Sequence, residues 1–200
     1  MRRRLNFPLF LAMAFVPVLA GCQISKSAAA DSTLNERVQR GRYLVTAIGC
    51  NDCHTPLKMT ERGPEPDMTR MLSGHPSSLK MTSPPKMADG PWAWAGAVTN
   101  TAFAGPWGIT FAANLTPDQN SGLGIWTEDM FVRALRTGRH MGTSRPINPP
   151  MPWTAFKNMT DEDLKSIYAY LRTIPPVSNH VPDYLEPQEV QTVLTKTAAQ

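Results

Sequence analysis

The chain has 200 residues, enough for one domain, and its 42% hydrophobic content supports an ordinary folded core. Nineteen prolines argue against a chain made mostly of helices and predict long irregular stretches. Arg2, Arg3 and Arg4 supply three units of the +4 net charge, so the apparent basicity carries no argument for a nucleic-acid partner.

Those arginines precede an apolar run from Leu5 to Ala20. Pro8 and Pro17 interrupt the run, which falls short of the roughly 20 residues a spanning helix needs. Residues 1–21 are expected to be an export signal. The run ends in Leu19-Ala20-Gly21-Cys22, which resembles the lipobox of bacterial lipoproteins. The resemblance implies cleavage before Cys22, lipidation of that cysteine and attachment to a membrane facing the periplasm. The alternative is an ordinary cleaved signal with Cys22 free or trimmed away. In enteric-type sorting, Gln23 after the lipidated cysteine favours the outer membrane. Residues 22–33 are small and polar without apolar periodicity, and are expected to form a flexible tether.

From Leu34 the apolar spacing turns helical: Leu34, Val38, Gly41, Val45 and Ile48 recur in steps of three and four, and Gly49 closes the segment. Residues 57–111 show no strong period and many Pro and Gly positions. They are expected to be an irregular insertion, with short strands at Ala95–Val98 and Ile109–Ala113. A second helix starts after Thr127, carries Phe131, Ala134 and Leu135, and stops at Gly138. A third starts after Thr160, buries Leu164, Ile167, Tyr168 and Leu171, and ends before Pro175-Pro176. Gly41 on the first helix, with Tyr168 and Leu171 on the last, predicts that these two helices cross closely. Residues 177–200 are expected to wrap the surface and then fray.

With Cys22 assigned to lipid, Cys50 and Cys53 remain as a C-x-x-C pair, open to a disulfide, a metal site or haem attachment. His54, the next residue, completes the C-x-x-C-H signature of covalent haem. Two thiols add to the haem vinyl groups, and the adjoining imidazole becomes the proximal iron ligand. A zinc site would need further close Cys or His, whereas His75, His140 and His180 are scattered singly. A thioredoxin-type disulfide belongs in a strand–helix setting, and this pair follows a helix.

Gly41-x-Tyr43-Leu44 before Cys50-x-x-Cys53-His54-Thr55-Pro56 resembles the start of haem domains in the cytochrome subunits of bacterial membrane-bound alcohol and gluconate dehydrogenases. Asn114-Leu115-Thr116-Pro117-Asp118, with Gly122-x-Gly124-x-Trp126-Thr127, is similar to that family's middle segment. Pro150-Met151-Pro152-Trp153, with Thr160 to Leu164, is similar to its closing one. The resemblance implies an all-α fold of the small class I cytochrome c type over residues 34–176, with three principal helices around haem c. The resembled subunits carry several haems, whereas this chain, with a single C-x-x-C-H, is expected to carry one. It places the distal methionine at Met151, in a loop stiffened by Pro149, Pro150 and Pro152; Met141, Met159, His75 and His140 are the other candidates. His75, in a turn-like Ser-Gly-His-Pro context, is expected to be exposed. The function implied is electron transfer between extracytoplasmic redox partners, a dehydrogenase, an oxidase or another cytochrome, without a catalytic residue. The rivals are a peroxidase-like or gas-binding haem protein with an open distal position, and a haem-free thiol–disulfide lipoprotein.

Overall fold

A computed structural model describes residues 21–81 and 91–190. Most of the expected export signal, residues 82–90 of the insertion and residues 191–200 of the tail lie outside the described residues. Contacts divide the chain into residues 1–33 and residues 34–200.

The first helix, α1 (Gly21–Ala47), already includes residues 22–33, the segment expected to be a flexible tether without regular structure. That reading took the absence of an apolar stripe for the absence of a helix, yet Ala28-Ala29-Ala30 has high intrinsic helix propensity. A short helix, α2 (Cys50–His54), follows Gly49, whose φ of 75° turns the chain between the two. The other long helices, α3 (Glu128–Thr137) and α5 (Asp161–Leu171), flank a single-turn α4 (Trp153–Phe156). Both long helices begin as local chemistry dictates. The Thr127 hydroxyl accepts from the Met130 N–H at 3.2 Å and the Thr160 hydroxyl from the Asp163 N–H at 3.1 Å. Gly138, with φ 65°, ends α3.

The fold is not all-α. The segment expected to be irregular holds two small antiparallel sheets. One pairs β1 (Leu57–Thr60) with β2 (Gly63–Pro66), Leu57 opposite Pro66. The other is β3 (Ala95–Gly96), β4 (Ala102–Gly105) and β5 (Gly108–Phe111) in that order, with Ala102 opposite Phe111. The short strands expected at Ala95–Val98 and Ile109–Ala113 overlap β3 and β5. The other three run four residues each, and β2 and β4 contain glycine or proline, too short for a period-two pattern to register. The tail also pairs. Leu185 exchanges backbone hydrogen bonds with Ile109 at 2.9 and 3.0 Å, which adds one bridge to β5 at the edge of the second sheet.

The core joins Leu44 and Val45 of α1, Phe131 and Leu135 of α3, and Leu164, Ile167 and Leu171 of α5, closed by Leu72, Leu123 and Ile174. Helices α1 and α5 cross with backbones in contact. A Cβ on Gly41 would lie 1.9 Å from the Ser166 carbonyl oxygen and 2.8 Å from the Tyr170 Cβ. Arg37–Glu128 and Arg40–Asp163 ion pairs tie α1 to α3 and α5 at the surface, where such pairs contribute little.

Candidate haem-attachment site

Cys50, Cys53 and His54 occupy one short helix, so both sulfurs and the imidazole come from a single turn and a half of chain. Cys50 borders the hydrophobic core, and burial pushes its thiol up to about 12. Burial raises Cys53 as well, with a smaller contribution from Asp52. A redox-active C-x-x-C does the opposite, since its attacking cysteine needs a lowered pKa. The pair therefore suits neutral thiols that become thioethers. Among the described residues, no group of three or more His, Cys, Asp or Glu side chains gathers as a metal cluster, which removes the donor set a zinc site requires.

His54 is buried, and burial lowers its pKa, opposed in part by a hydrogen bond. Its Nδ1 lies 2.7 Å from the Ala113 carbonyl oxygen. A carbonyl can only accept, so Nδ1 carries the proton and Nε2 keeps its lone pair. Nothing among the described residues hydrogen-bonds Nε2. A neutral imidazole with one nitrogen anchored and the other free is the donor that haem iron takes. The residues present thus fit the group.

The surroundings of His54 are built from two backbone segments far apart in sequence. The His54 carbonyl accepts from the Gly74 N–H at 2.8 Å. Residues 72–75 in turn pair with residues 112–115, His75 N–H to the Ala112 carbonyl at 2.9 Å and Leu115 N–H to the Leu72 carbonyl at 2.8 Å. Gly74 has φ 77°, and a Cβ there would sit 2.4 Å from the Ala112 carbonyl oxygen, so only glycine permits the approach. Thr55, fully buried, accepts from the Leu72 N–H at 2.9 Å and donates to Asn51 Oδ1 at 2.9 Å, fixing the C-terminal end of α2.

Met151 lies in the loop before α4, half-buried against the same core that Cys50 borders. A cis peptide joins Pro149 to Pro150, and the Thr110 hydroxyl donates to the Pro149 carbonyl at 2.8 Å. That bond ties the Met151 loop to β5, the strand that leads to Ala113. Met159 and Met71 also border the core; Met71 was not among the expected candidates. Trp126 packs there too, edge-on to the half-buried His140 at 4.8 Å between centroids. Met141 stands apart from the core, with φ 54°.

His75 corrects the sequence reading. It is fully buried rather than exposed, with Nδ1 2.9 Å from the Thr101 hydroxyl and Nε2 3.1 Å from the Leu79 carbonyl. Both ring nitrogens are engaged, which leaves it no lone pair for iron. Its partners lie outside the turn motif that suggested exposure. Ala113 and Gly74 were not foreseen as parts of the site. A carbonyl partner leaves no trace in residue type, and Gly74 showed only as one turn glycine among many.

No protein-family model matches the chain. Similarity to curated proteins is extensive. The chain is 29% identical over 170 residues to the fructose dehydrogenase cytochrome subunit of Gluconobacter japonicus, covering 83% of this chain and 28% of the relative. It is 30% identical over 170 residues to the cytochrome c subunit of the quinone alcohol dehydrogenase of Gluconacetobacter polyoxogenes, covering 84% and 28%. A diheme cytochrome c-type protein of Cereibacter sphaeroides matches at 25% over 180 residues, 88% of this chain and 50% of the relative. The chain thus spans between about a quarter and a half of these relatives' length. The cofactor that such similarity implies is haem c. Over most of its length, the chain is a homologue of the cytochrome c subunits of alcohol, fructose and gluconate dehydrogenases.

Proposed function

We propose that this chain is an electron-transfer cytochrome carrying one haem c, bound through Cys50 and Cys53 and ligated by His54 and Met151. The observation that carries the reading is the His54 imidazole: buried, fixed through Nδ1 by the Ala113 carbonyl, and immediately after two neutral thiols on the same helix. The single C-x-x-C-H run in the sequence supports a count of one. When bound, haem supplies one-electron exchange between Fe(III) and Fe(II). The chain holds the proximal imidazole in one tautomer, offers a soft thioether opposite it, and buries the attachment helix against an apolar core.

The names of the relatives favour a dehydrogenase as electron donor, with the chain acting as carrier and no catalytic residue of its own. Export and lipidation at Cys22 would hold the domain at the periplasmic face of a membrane. Among the described residues no helix is long and apolar enough to cross one. The test is absorption spectroscopy of the purified, exported protein, with carbon monoxide added to the ferrous form. A low-spin spectrum that resists carbon monoxide supports a carrier with both axial positions filled. Rapid binding would favour the gas-binding or peroxidase-like alternative.

A further inference from the structure

We infer that Asn179, far from the haem motif in sequence, is a positioning residue for the iron-ligating histidine; the inference rests on the haem reading above. Asn179 is 2% exposed, and its side chain uses its whole hydrogen-bonding capacity. Its Nδ2 donates to the Ser73 carbonyl at 2.7 Å and the His75 carbonyl at 2.8 Å. Its Oδ1 accepts from the Ser77 N–H at 2.9 Å and from Arg70 Nη2 at 3.4 Å. One amide thus clamps residues 70–77 from four points, and Gly74, bonded to the His54 carbonyl, lies between the two clamped carbonyls.

The same strap holds the opposite segment. The Asn179 N–H donates to the Ser121 hydroxyl at 2.9 Å, the Val177 N–H donates to the Thr116 hydroxyl at 3.0 Å, and the Val177 carbonyl accepts from Asn114 Nδ2 at 2.8 Å. Residues 177–179 therefore staple both segments between which His54 is held, one bonding its carbonyl and the other its Nδ1. A buried, fully bonded polar group has few alternative geometries, so the strap sets the position of the Ala113 carbonyl. That carbonyl sets how strongly Nδ1–H is bonded, hence how basic Nε2 is toward iron. A weaker bond makes the imidazole a poorer donor, stabilises Fe(III) less and raises the reduction potential.

The experiment compares haem-loaded wild type with Asn179→Ala and with the milder Ser121→Ala, which removes the acceptor of the Asn179 N–H, along with the hydroxyl's bonds to Asp118 and Asn114, and leaves the Asn179 side-chain bonds in place. Three readouts are taken: reduction potential, exchange rate of the His54 Nδ1 proton by NMR, and thermal midpoint. Thr127→Ala serves as a destabilised control, since it removes the cap of α3. The expected result is a raised potential and faster Nδ1 proton exchange in both strap variants, larger for Asn179→Ala, with neither change in the control. A lowered thermal midpoint with unaltered potential and exchange would reduce Asn179 to a packing role and overturn the inference. If Asn179→Ala fails to mature, Ser121→Ala decides on the same two criteria. Haem missing from the wild type would instead refute the haem reading itself.

Discussion

Gly74→Ala is the substitution that most sharply tests how the His54 surroundings are built. Two costs add. The left-handed backbone (φ 77°) costs a non-glycine residue about 1–2 kcal/mol. The new methyl would lie 2.4 Å from the Ala112 carbonyl oxygen and 2.6 Å from the Ala113 carbonyl carbon, a collision with backbone that no rotamer relieves. Overpacking of that kind costs about 1–3 kcal/mol. The expected loss is therefore about 2–5 kcal/mol, against about 5–15 kcal/mol of total stability for an ordinary domain. The assay is urea unfolding of haem-loaded wild type and variant, followed by circular dichroism, with the slope checked for constancy. Because the collision includes the Ala113 carbonyl, the reduction potential should move as well. A loss below about 0.5 kcal/mol, the range of an inconsequential surface change, would refute the close pairing of residues 72–75 with 112–115.

Gly41→Ala should destabilise by chemical unfolding, whereas the same change in an exposed helix interior stabilises by about 0.5–1 kcal/mol; the reversed sign tests the α1–α5 crossing, since the Cβ would meet the Ser166 carbonyl. Thr127→Ala and Thr160→Ala should each cost about 1 kcal/mol in the same assay through loss of a helix cap. Burial lowers the His75 pKa, so folding favours its neutral form, and its contribution to stability, complete above the ordinary value of 6.5, should fade as pH drops below it. Urea midpoints at pH 7.5 and 5.5 should therefore differ less in His75→Gln than in wild type, and an identical pH dependence would contradict this. Met151→Ala should abolish the near-infrared sulfur-to-iron charge-transfer band of the oxidised protein. Its survival would transfer the distal role to Met71 or Met159, which border the same core.

Legibility in the sequence followed the range of the interactions. Helices α3 and α5 could be read with their caps because Thr127, Gly138 and Thr160 act within three or four residues of themselves. Strands such as Gly63-Pro64-Glu65-Pro66 could not, since nothing in those residue types favours a strand; pairing with 57–60 creates it. The attachment motif is five consecutive residues and speaks for itself. Its support does not: Ala113 lies 59 residues from His54 and contributes only a carbonyl. His75 was misjudged for the same reason, because Thr101 and Asn179, which bury and bond it, stand 26 and 104 positions away. The all-α expectation failed where antiparallel pairing between neighbouring segments overrode weak local preference.

The central proposition is covalent attachment, and intact-mass spectrometry of the exported, purified protein, paired with thiol labelling, measures it directly. The account predicts a mass increased by one haem and no labelling at Cys50 or Cys53. An unmodified mass with both thiols reacting would contradict it.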